Sequence, residues 1–166
     1  MTISIIRRKL AESEINKLVV NVRLFPNLAY VSPKHWLYFT DPYCLLINGR
    51  FAGVCVIHTL KNWVKLGPLV ILQNYHGKGL GKTLLQKVIK DQSSRSLFIA
   101  SSNPVVQHII TSSNFQQILS FFSLPKEIQL FLVKQLIEYI SIPYIFEIIR
   151  KKFSLRRGEV KFYIKV

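Results

Sequence analysis

Apolar positions recur along the chain at two spacings, about every second residue and about every third or fourth. The first spacing predicts strands over 2–7, 43–47, 51–57, 63–72, 96–100, 118–122 and 160–166. The second predicts helices over 12–22, 81–90, 124–141 and 144–153, and another that begins behind Asn103. Asn48-Gly49 favours a two-residue hairpin turn. Strand and helix alternate after residue 63, so we predict an α/β fold with at least one parallel βαβ unit.

Two details of this pattern concern the middle and the end of the sheet. Gly67-Pro68 interrupts the fourth predicted strand, and since proline cannot donate to a ladder, the pair predicts a bulge. In the last predicted strand, alternation places Phe162 inward and Tyr163 outward, between Lys161 and Lys165. We therefore expect the final strand to be half exposed and basic.

The charge balance is the unusual feature of the composition. The chain has 166 residues, of which 49% are hydrophobic, so it is long and apolar enough for one folded domain over residues 1–166 and is not a disordered protein. Its formal net charge is +15. Such a surplus favours polyanionic partners, namely nucleic acid, phosphorylated cofactors or anionic membrane surfaces, but a basic proteome would produce the same balance.

From the cysteines, the first residues and the longest apolar stretch we expect a cytoplasmic protein. Cys44 and Cys55 lie in apolar runs without metal-ligand spacing, so we expect buried free thiols and no metal site. The first residues lack the apolar core and cleavage site of a signal peptide. Charged residues and Pro143 interrupt the longest apolar stretch, 128–149, which argues against a transmembrane segment.

A glycine-rich loop between a predicted strand and a predicted helix is the strongest chemical signal. In residues 75–85 glycines alternate with other residues directly before an apolar helical pattern, and the free amides of a helix start bind phosphate. A nucleotide triphosphatase loop would need glycine at position 76, which is His76, and an aspartate at a later strand end. The dinucleotide fingerprint lacks its third glycine at the required spacing.

The loop His76-Gly77-Lys78-Gly79-Leu80-Gly81 resembles the acetyl-coenzyme A loop of the GNAT superfamily of N-acetyltransferases, with histidine where Arg or Gln is usual. The bulged strand, the earlier hairpin and Asn103 stand where that family has them. The resemblance covers roughly residues 1–116, and 117–166 resembles the family only by its closing strand. It implies one mixed, mostly antiparallel twisted sheet of about six or seven strands, with helices on both faces and a bulged central strand.

The same resemblance implies a site for acetyl-CoA or another acyl-CoA. The glycine loop would hold the pyrophosphate, the bulged strand would offer backbone amides to the pantetheine arm, and the amide near Leu69 would stabilise the oxyanion. Asn103 would bind the pantetheine arm or cap its helix. The implied cofactor-binding residues are Leu69, Val70, Ile71, Leu72, His76, Gly77, Lys78, Gly79, Leu80, Gly81, Lys82 and Asn103.

Two departures from the family concern the acid and base. Ile110 stands where many members have a tyrosine that protonates the leaving thiolate, and residues 63–72 contain no carboxylate to activate the amine. The catalytic residues are therefore unknown. The replacements that we consider are His58, His108, Tyr75 and Tyr144.

The acceptor is the least determined part of the function. We expect transfer of an acetyl group to an amine, on a nucleic-acid-linked acceptor such as aminoacyl-tRNA if the basic cluster near the end of the chain contacts tRNA or DNA. The alternative is a basic nucleic-acid-binding or interaction module that keeps the fold but has altered or lost catalysis. A homodimer through residues 130–142 is also expected. The basic cluster comprises Arg150, Lys151, Lys152, Arg156 and Arg157.

Overall fold

The computed structural model describes residues 1–25, 27–28, 30–140, 142–154 and 158–166. Of residues 142, 152 and 154 it describes the backbone only. Its helices and strands follow the predicted order closely. The strands are β1 Ile3–Arg7, β2 Tyr43–Ile47, β3 Arg50–Thr59, β4 Trp63–Ile71, β5 Ser96–Ser101, β6 Gln116–Ile118 and β7 Lys161–Lys165. The helices are α1 Glu12–Leu24, α2 Pro33–Tyr38, α3 Leu80–Asp91, α4 Pro104–Thr111, α5 Lys126–Tyr139 and α6 Ile142–Ser154.

The described strands form one seven-stranded sheet in the order β1-β2-β3-β4-β5-β7-β6. Neighbouring strands are antiparallel except β4 and β5, which are parallel and are connected by α3. The predicted α/β fold, with a mostly antiparallel mixed sheet and one parallel βαβ unit, is confirmed.

Helices cover both faces of the sheet, as predicted. On one face α3 and α4 pack their apolar sides onto the central strands. On the other face α1 and α2 cover β2, β3 and β4, while the start of α5 covers β5 and β7. Burial of apolar side chains on both faces is the main stabilising contribution to such a layered fold. Fully buried members of the two layers include Leu18, Trp36, Leu84, Leu85, Val88, Phe98, Ile110 and Ile128.

The end of the chain departs from the prediction. The strand predicted over 118–122 begins earlier, at Gln116, and it ends at Ile118, since a 3-10 turn occupies Phe121–Ser123. This short β6 forms the sheet edge and places β7 in the interior, between β5 and β6. The prediction that Tyr163 faces outward is wrong, because the residue is only 2% exposed and belongs to the core that α3 and α4 form on this face of the sheet.

The bulge predicted at Gly67-Pro68 lies in β4. Cys55 and Ile57 of β3 pair with Leu69 and Leu66 of β4, so β4 has one residue more than β3 between these pairs. On its other side, β4 pairs with β5 only from Trp63 to Leu66. The two parallel strands part immediately after that point, and β4 continues without β5 to Ile71 before the 3-10 turn Gln73–Tyr75 leads into the glycine loop.

A buried asparagine of α1 fixes the end of β4. Asn21 is 5% exposed. Its side-chain nitrogen donates to the Ile71 carbonyl at 3.2 Å, and its side-chain oxygen accepts from the Gln73 amide at 2.8 Å. One side chain therefore holds both the last residue of β4 and the first turn of the loop segment, which sets where the glycine loop begins.

We predict that Asn21→Ala lowers the free energy of unfolding by about 1–3 kcal/mol, because it removes two part-buried hydrogen bonds that hold the end of β4. Chemical denaturation measures the change. The matched control is Asn16→Ala, an exposed asparagine on the same helix, which we expect to alter stability by no more than about 0.5 kcal/mol. Equal denaturation midpoints for the two variants would show that the Asn21 contacts do not stabilise the strand end.

Candidate functional site

Two adjoining cavities open where β4 and β5 part. The loop cavity, about 450 Å³, lies against the glycine loop and the start of α3. The helix-side cavity, about 620 Å³, extends from the bulge of β4 towards α5 and α6. Leu69, Asn103 and Val106 line both cavities. A molecule that enters over the glycine loop can therefore reach the bulge, where a second molecule can arrive from the helix side.

The glycine loop has the geometry of an anion-binding turn. Gly77 and Gly79 have φ of +74° and +70°, a conformation that favours glycine, and a Cβ atom at either position would meet no atom within 4 Å. The first helical hydrogen bond of α3 runs from the Thr83 amide to the Gly79 carbonyl. The amides of the preceding residues, Leu80 to Lys82, thus have no acceptor within the helix and lie at its positive end. The chemistry of this turn fits the pyrophosphate of coenzyme A.

Most of the charged and aromatic side chains of the loop line the loop cavity, and Lys78 lies beside one of them. Lys82 and His76 line the loop cavity, while the Lys78 ammonium lies 5.8 Å from the centroid of the Tyr75 ring. The His76 Nε2 atom is 2.7 Å from the Ile71 carbonyl oxygen, and its ring lies 4.7 Å from the Phe25 ring. The imidazole therefore ties the loop back to β4 in addition to lining the cavity.

Beyond the bulge, the backbone amides of β4 point alternately towards β3 and towards the gap that β5 leaves. The Leu72 amide donates to the Ala52 carbonyl, so Leu72 and, by strand alternation, Val70 face β3. The predictions that Val70 and Leu72 offer amides to a cofactor are therefore wrong, because those amides lie on the β3 side. Leu69 and Ile71 face away from β3, towards the gap that β5 leaves. The Leu69 amide therefore faces the gap, and its use as an oxyanion donor stays a prediction.

Asn103 is the N-cap of α4, as predicted. Its side-chain oxygen accepts from the Val105 amide at 2.9 Å, and Pro104 follows at the first helical position. The same residue lines both cavities at their junction. Its contact with a cofactor stays a prediction.

The four candidate acid–base residues fall into two groups. Tyr75 lines the loop cavity and Tyr144 the helix-side cavity, whereas His58 and His108 line neither. Burial and the nearby Lys65 ammonium lower the pKa of His58 to about 3, so this imidazole is neutral at physiological pH. The side-chain placement argues against both histidines, since a general acid or base must reach the reacting group. Ile110, at the position of the family's tyrosine, is fully buried in the core.

The structure adds two residues that sequence reasoning missed. Asn21 anchors the end of β4, and its spacing from Leu18 and Val22 on the apolar side of α1 was the available signal. Lys65 lines the helix-side cavity and is only 8% exposed. A lysine inside an otherwise apolar strand was its signal.

The basic cluster near the end of the chain is partly structural. Lys151 is 1% exposed, and its ammonium donates to the Val22 and Leu28 carbonyls at 2.5 and 2.6 Å. The prediction that Lys151 belongs to an exposed anion-binding patch is therefore wrong, because its charge is used to dock α6 against the end of α1. Arg150 pairs with Glu147 at 2.8 Å. Arg156, Arg157 and the side chain of Lys152 lie outside the described residues.

In the part of the chain that the structure describes, no group of three or more His, Cys, Asp or Glu side chains is placed to hold a metal ion. None of the helices within the described ranges combines the length and the apolar character needed to cross a membrane.

Comparison with known proteins bears on the same region. No curated protein matches the chain. The fold is shared with N-acetylglutamate synthase from Neisseria gonorrhoeae in complex with coenzyme A and N-acetyl-glutamate, at 16% sequence identity and a TM-score of 0.66, over 99% of this chain and 35% of that chain. It is also shared with the ribosomal-protein-S18-alanine N-acetyltransferase from Escherichia coli, at 14% identity and a TM-score of 0.59, over 98% of this chain and 91% of that chain. A third similar structure is PaiA N-acetyltransferase from Thermoplasma acidophilum in complex with coenzyme A, at 19% identity and a TM-score of 0.56, over 72% of this chain and 93% of that chain. The chain thus spans 35% of the synthase.

A family model agrees with these likenesses. The model of the acetyltransferase (GNAT) family matches residues 16–109, more than half of the chain, from α1 through the glycine loop to α4. The predicted resemblance is confirmed: the chain belongs to the GNAT family of acetyltransferases.

Proposed function

We propose that this protein is an acyl-CoA-dependent N-acetyltransferase that transfers an acetyl group from acetyl-CoA to an amine. The observation that carries the proposal is the continuity of the two cavities. The free amides at the start of α3 and the Leu69 amide lie along one opening, which has the order of a phosphate end and a thioester end. Two of the similar structures contain coenzyme A, which supports the same cofactor here.

The chain supplies three elements to the transfer. Leu80 to Lys82 offer amides to the pyrophosphate, and Lys78 and Lys82 add positive charge. The Leu69 amide donates a hydrogen bond to the thioester oxygen as the amine attacks the carbonyl carbon, which stabilises the negative charge that develops there. A C–N bond forms and the C–S bond breaks, and the proton that the amine loses balances the charge of the departing thiolate. The cavities hold both reactants at the bulge, so proximity supplies much of the rate.

The proton steps involve neutral groups. Among the described residues that line the two cavities there is no aspartate or glutamate. The amine must therefore arrive in its neutral form, since no lining carboxylate is present to take up its proton. Tyr75 and Tyr144 are the phenols that line the cavities, and we propose them as the candidates for protonation of the thiolate.

The two cysteines bear on the location of the protein. Cys44 and Cys55 are buried free thiols, and burial raises their pKa values to about 11 and about 12, so both are unreactive at neutral pH. Free thiols fit a reducing compartment, and we propose a cytoplasmic location.

Because the net charge is +15, we also propose that tRNA binds the surface and that a nucleic-acid-linked amine is one class of acceptor.

We predict that Gly79→Val abolishes acetyl-CoA binding in isothermal titration calorimetry, because its side chain would occupy the open space above the loop. The matched control is Gly49→Val. Gly49 has φ of +76° and an equally open Cβ position, but it lies in the hairpin turn between β2 and β3. Both variants should lose about 1–2 kcal/mol of stability from the left-handed backbone, and only Gly79→Val should lose the cofactor. Normal binding by Gly79→Val would show that the site is misplaced.

For the tRNA contact, we predict that the logarithm of the binding constant falls linearly with the logarithm of salt concentration, with a slope of about −0.7 to −0.9 per phosphate contacted. Fluorescence anisotropy with labelled tRNA and duplex DNA measures the slope. A flat dependence, or no binding at low salt, would contradict the nucleic-acid-linked acceptor.

The apolar side chains of α5 and α6 support the proposed homodimer. Leu130, Ile137 and Phe146 are 72%, 67% and 64% exposed. Burial of such a surface against a second copy would remove it from water. We predict a concentration-dependent dimer in analytical ultracentrifugation, and a monomer for the double variant Leu130→Glu and Ile137→Glu. The control is Leu119→Glu, which changes a 90% exposed leucine outside α5 and α6 and should leave the dimer intact. A monomeric wild-type protein at all concentrations would contradict the proposal.

A further inference from the structure

Lys65 places a positive charge inside the helix-side cavity. It lies on β4, two residues before the bulge, and its side chain is largely removed from solvent. The ammonium donates one hydrogen bond to the Gly67 carbonyl at 3.2 Å and lies 5.8 Å from the centroid of the Phe131 ring. Among the described residues no carboxylate forms a salt bridge with it.

A buried ammonium that no carboxylate neutralises costs free energy, so its presence in the cavity points to a role in binding a ligand. Desolvation of an ammonium costs several kcal/mol unless charge pairing or hydrogen bonds compensate, and one carbonyl and one ring face compensate only in part. Burial lowers the pKa of Lys65 to about 8, so the group is still mainly protonated at neutral pH. An ammonium has three donors, and the described residues supply one acceptor to Lys65, so within them the cavity presents a charge with hydrogen-bonding capacity to spare.

The rest of the cavity lining defines the chemistry that fits beside this charge. Lys65 is the one charged side chain among the described residues of the lining. The other lining residues are apolar, or neutral polar residues such as Ser101, Asn103 and Gln135. A single ammonium in a mainly apolar cavity suits one monoanionic group, whereas a phosphate dianion is usually bound by several cationic or amide donors. A carboxylate attached to an apolar body satisfies both properties of the cavity.

We infer that Lys65 binds the carboxylate of the acceptor, so that the cavity favours an amine that also carries a carboxylate on a mainly apolar body over the esterified amine of an aminoacyl-tRNA. This inference rests on the proposed function in that it assigns the helix-side cavity to the acceptor. Lys65 and Leu69 lie on either side of the bulge and line the same cavity. A carboxylate held by Lys65 therefore leaves the rest of the acceptor, including its amine, beside the thioester end of the site. Cationic polyamines are disfavoured because they would meet the Lys65 charge.

Lys65 is the group whose charge changes near neutral pH, because the titratable groups packed around it are neutral there. From β3, burial raises the pKa of the Cys55 thiol to about 12, and His58 stays neutral because its pKa is about 3. From α5, burial raises the pKa of Tyr139, and Tyr144 of α6 is the other phenol of the lining. An increase in pH through about 8 therefore removes the Lys65 proton and, with it, the attraction for a carboxylate.

The test compares hexanoate with hexanamide, two probes of the same shape that differ in charge, by calorimetry on the full chain. We expect hexanoate to bind about tenfold more tightly than hexanamide at pH 7, because it accepts a charge-assisted hydrogen bond. Lys65→Met should remove this preference. Lys61→Met, which removes an exposed charge from the turn between β3 and β4, should retain it. In the wild-type protein, the preference should fall as pH rises through about 8, and this measurement needs no variant.

The outcomes separate this inference from the proposed function. Equal binding of hexanoate and hexanamide, or a preference that Lys65→Met retains, would overturn the inference and point to an acceptor with a neutral group there, such as the ester of an aminoacyl-tRNA. Coenzyme A is titrated into the same preparation. If coenzyme A binds and hexanoate shows no preference, only the Lys65 inference fails. If hexanoate shows the preference and coenzyme A does not bind, the acetyltransferase proposal fails and the carboxylate site stands.

Discussion

The parting of β4 from β5 after Leu66 is the constraint on which the site depends. Parallel pairing ends there, and the bulge at Gly67-Pro68 shifts the following residues of β4 relative to β3. A strand that leaves one neighbour exposes backbone groups that would otherwise be paired, and buried unpaired groups are costly. The sheet therefore has an opening at its centre whose walls need polar partners, and both cavities lie in this opening.

The protein satisfies some of these groups and leaves others for ligands. The Ile71 carbonyl accepts from Asn21 and contacts His76, so this part of the wall is closed by the protein itself. The Leu69 amide faces the gap, and among the described residues the Gly67 carbonyl is the one hydrogen-bond acceptor for the three donors of Lys65. In the proposed function the thioester oxygen accepts from the Leu69 amide, and a carboxylate of the acceptor accepts from the Lys65 ammonium. Both ligands thus complete hydrogen bonding that the divergence of the strands leaves incomplete.

Local features of the chain were predictable from the sequence, and features set by strand neighbours were not. The hairpin at Asn48-Gly49, the cap at Asn103 and the bulge each depend on a few adjacent residues with distinct backbone preferences. Tyr163 is buried because α3 and α4 cover its face of the sheet, a packing that alternation within one strand does not reveal. The direction of the Val70 and Leu72 amides depends on the register with β3, and the burial of Lys151 depends on the docking of α6 on α1.

The most direct test of the opening in the sheet is residue-specific amide hydrogen exchange, with and without acetyl-CoA. In the free protein the Leu69 amide should exchange quickly, while the Leu72 amide, which donates to Ala52, should be protected. Addition of acetyl-CoA should slow exchange at Leu69 and leave Leu72 unchanged. A Leu69 amide that is already protected in the free protein, or that exchanges equally fast with the cofactor present, would contradict the proposed use of the gap.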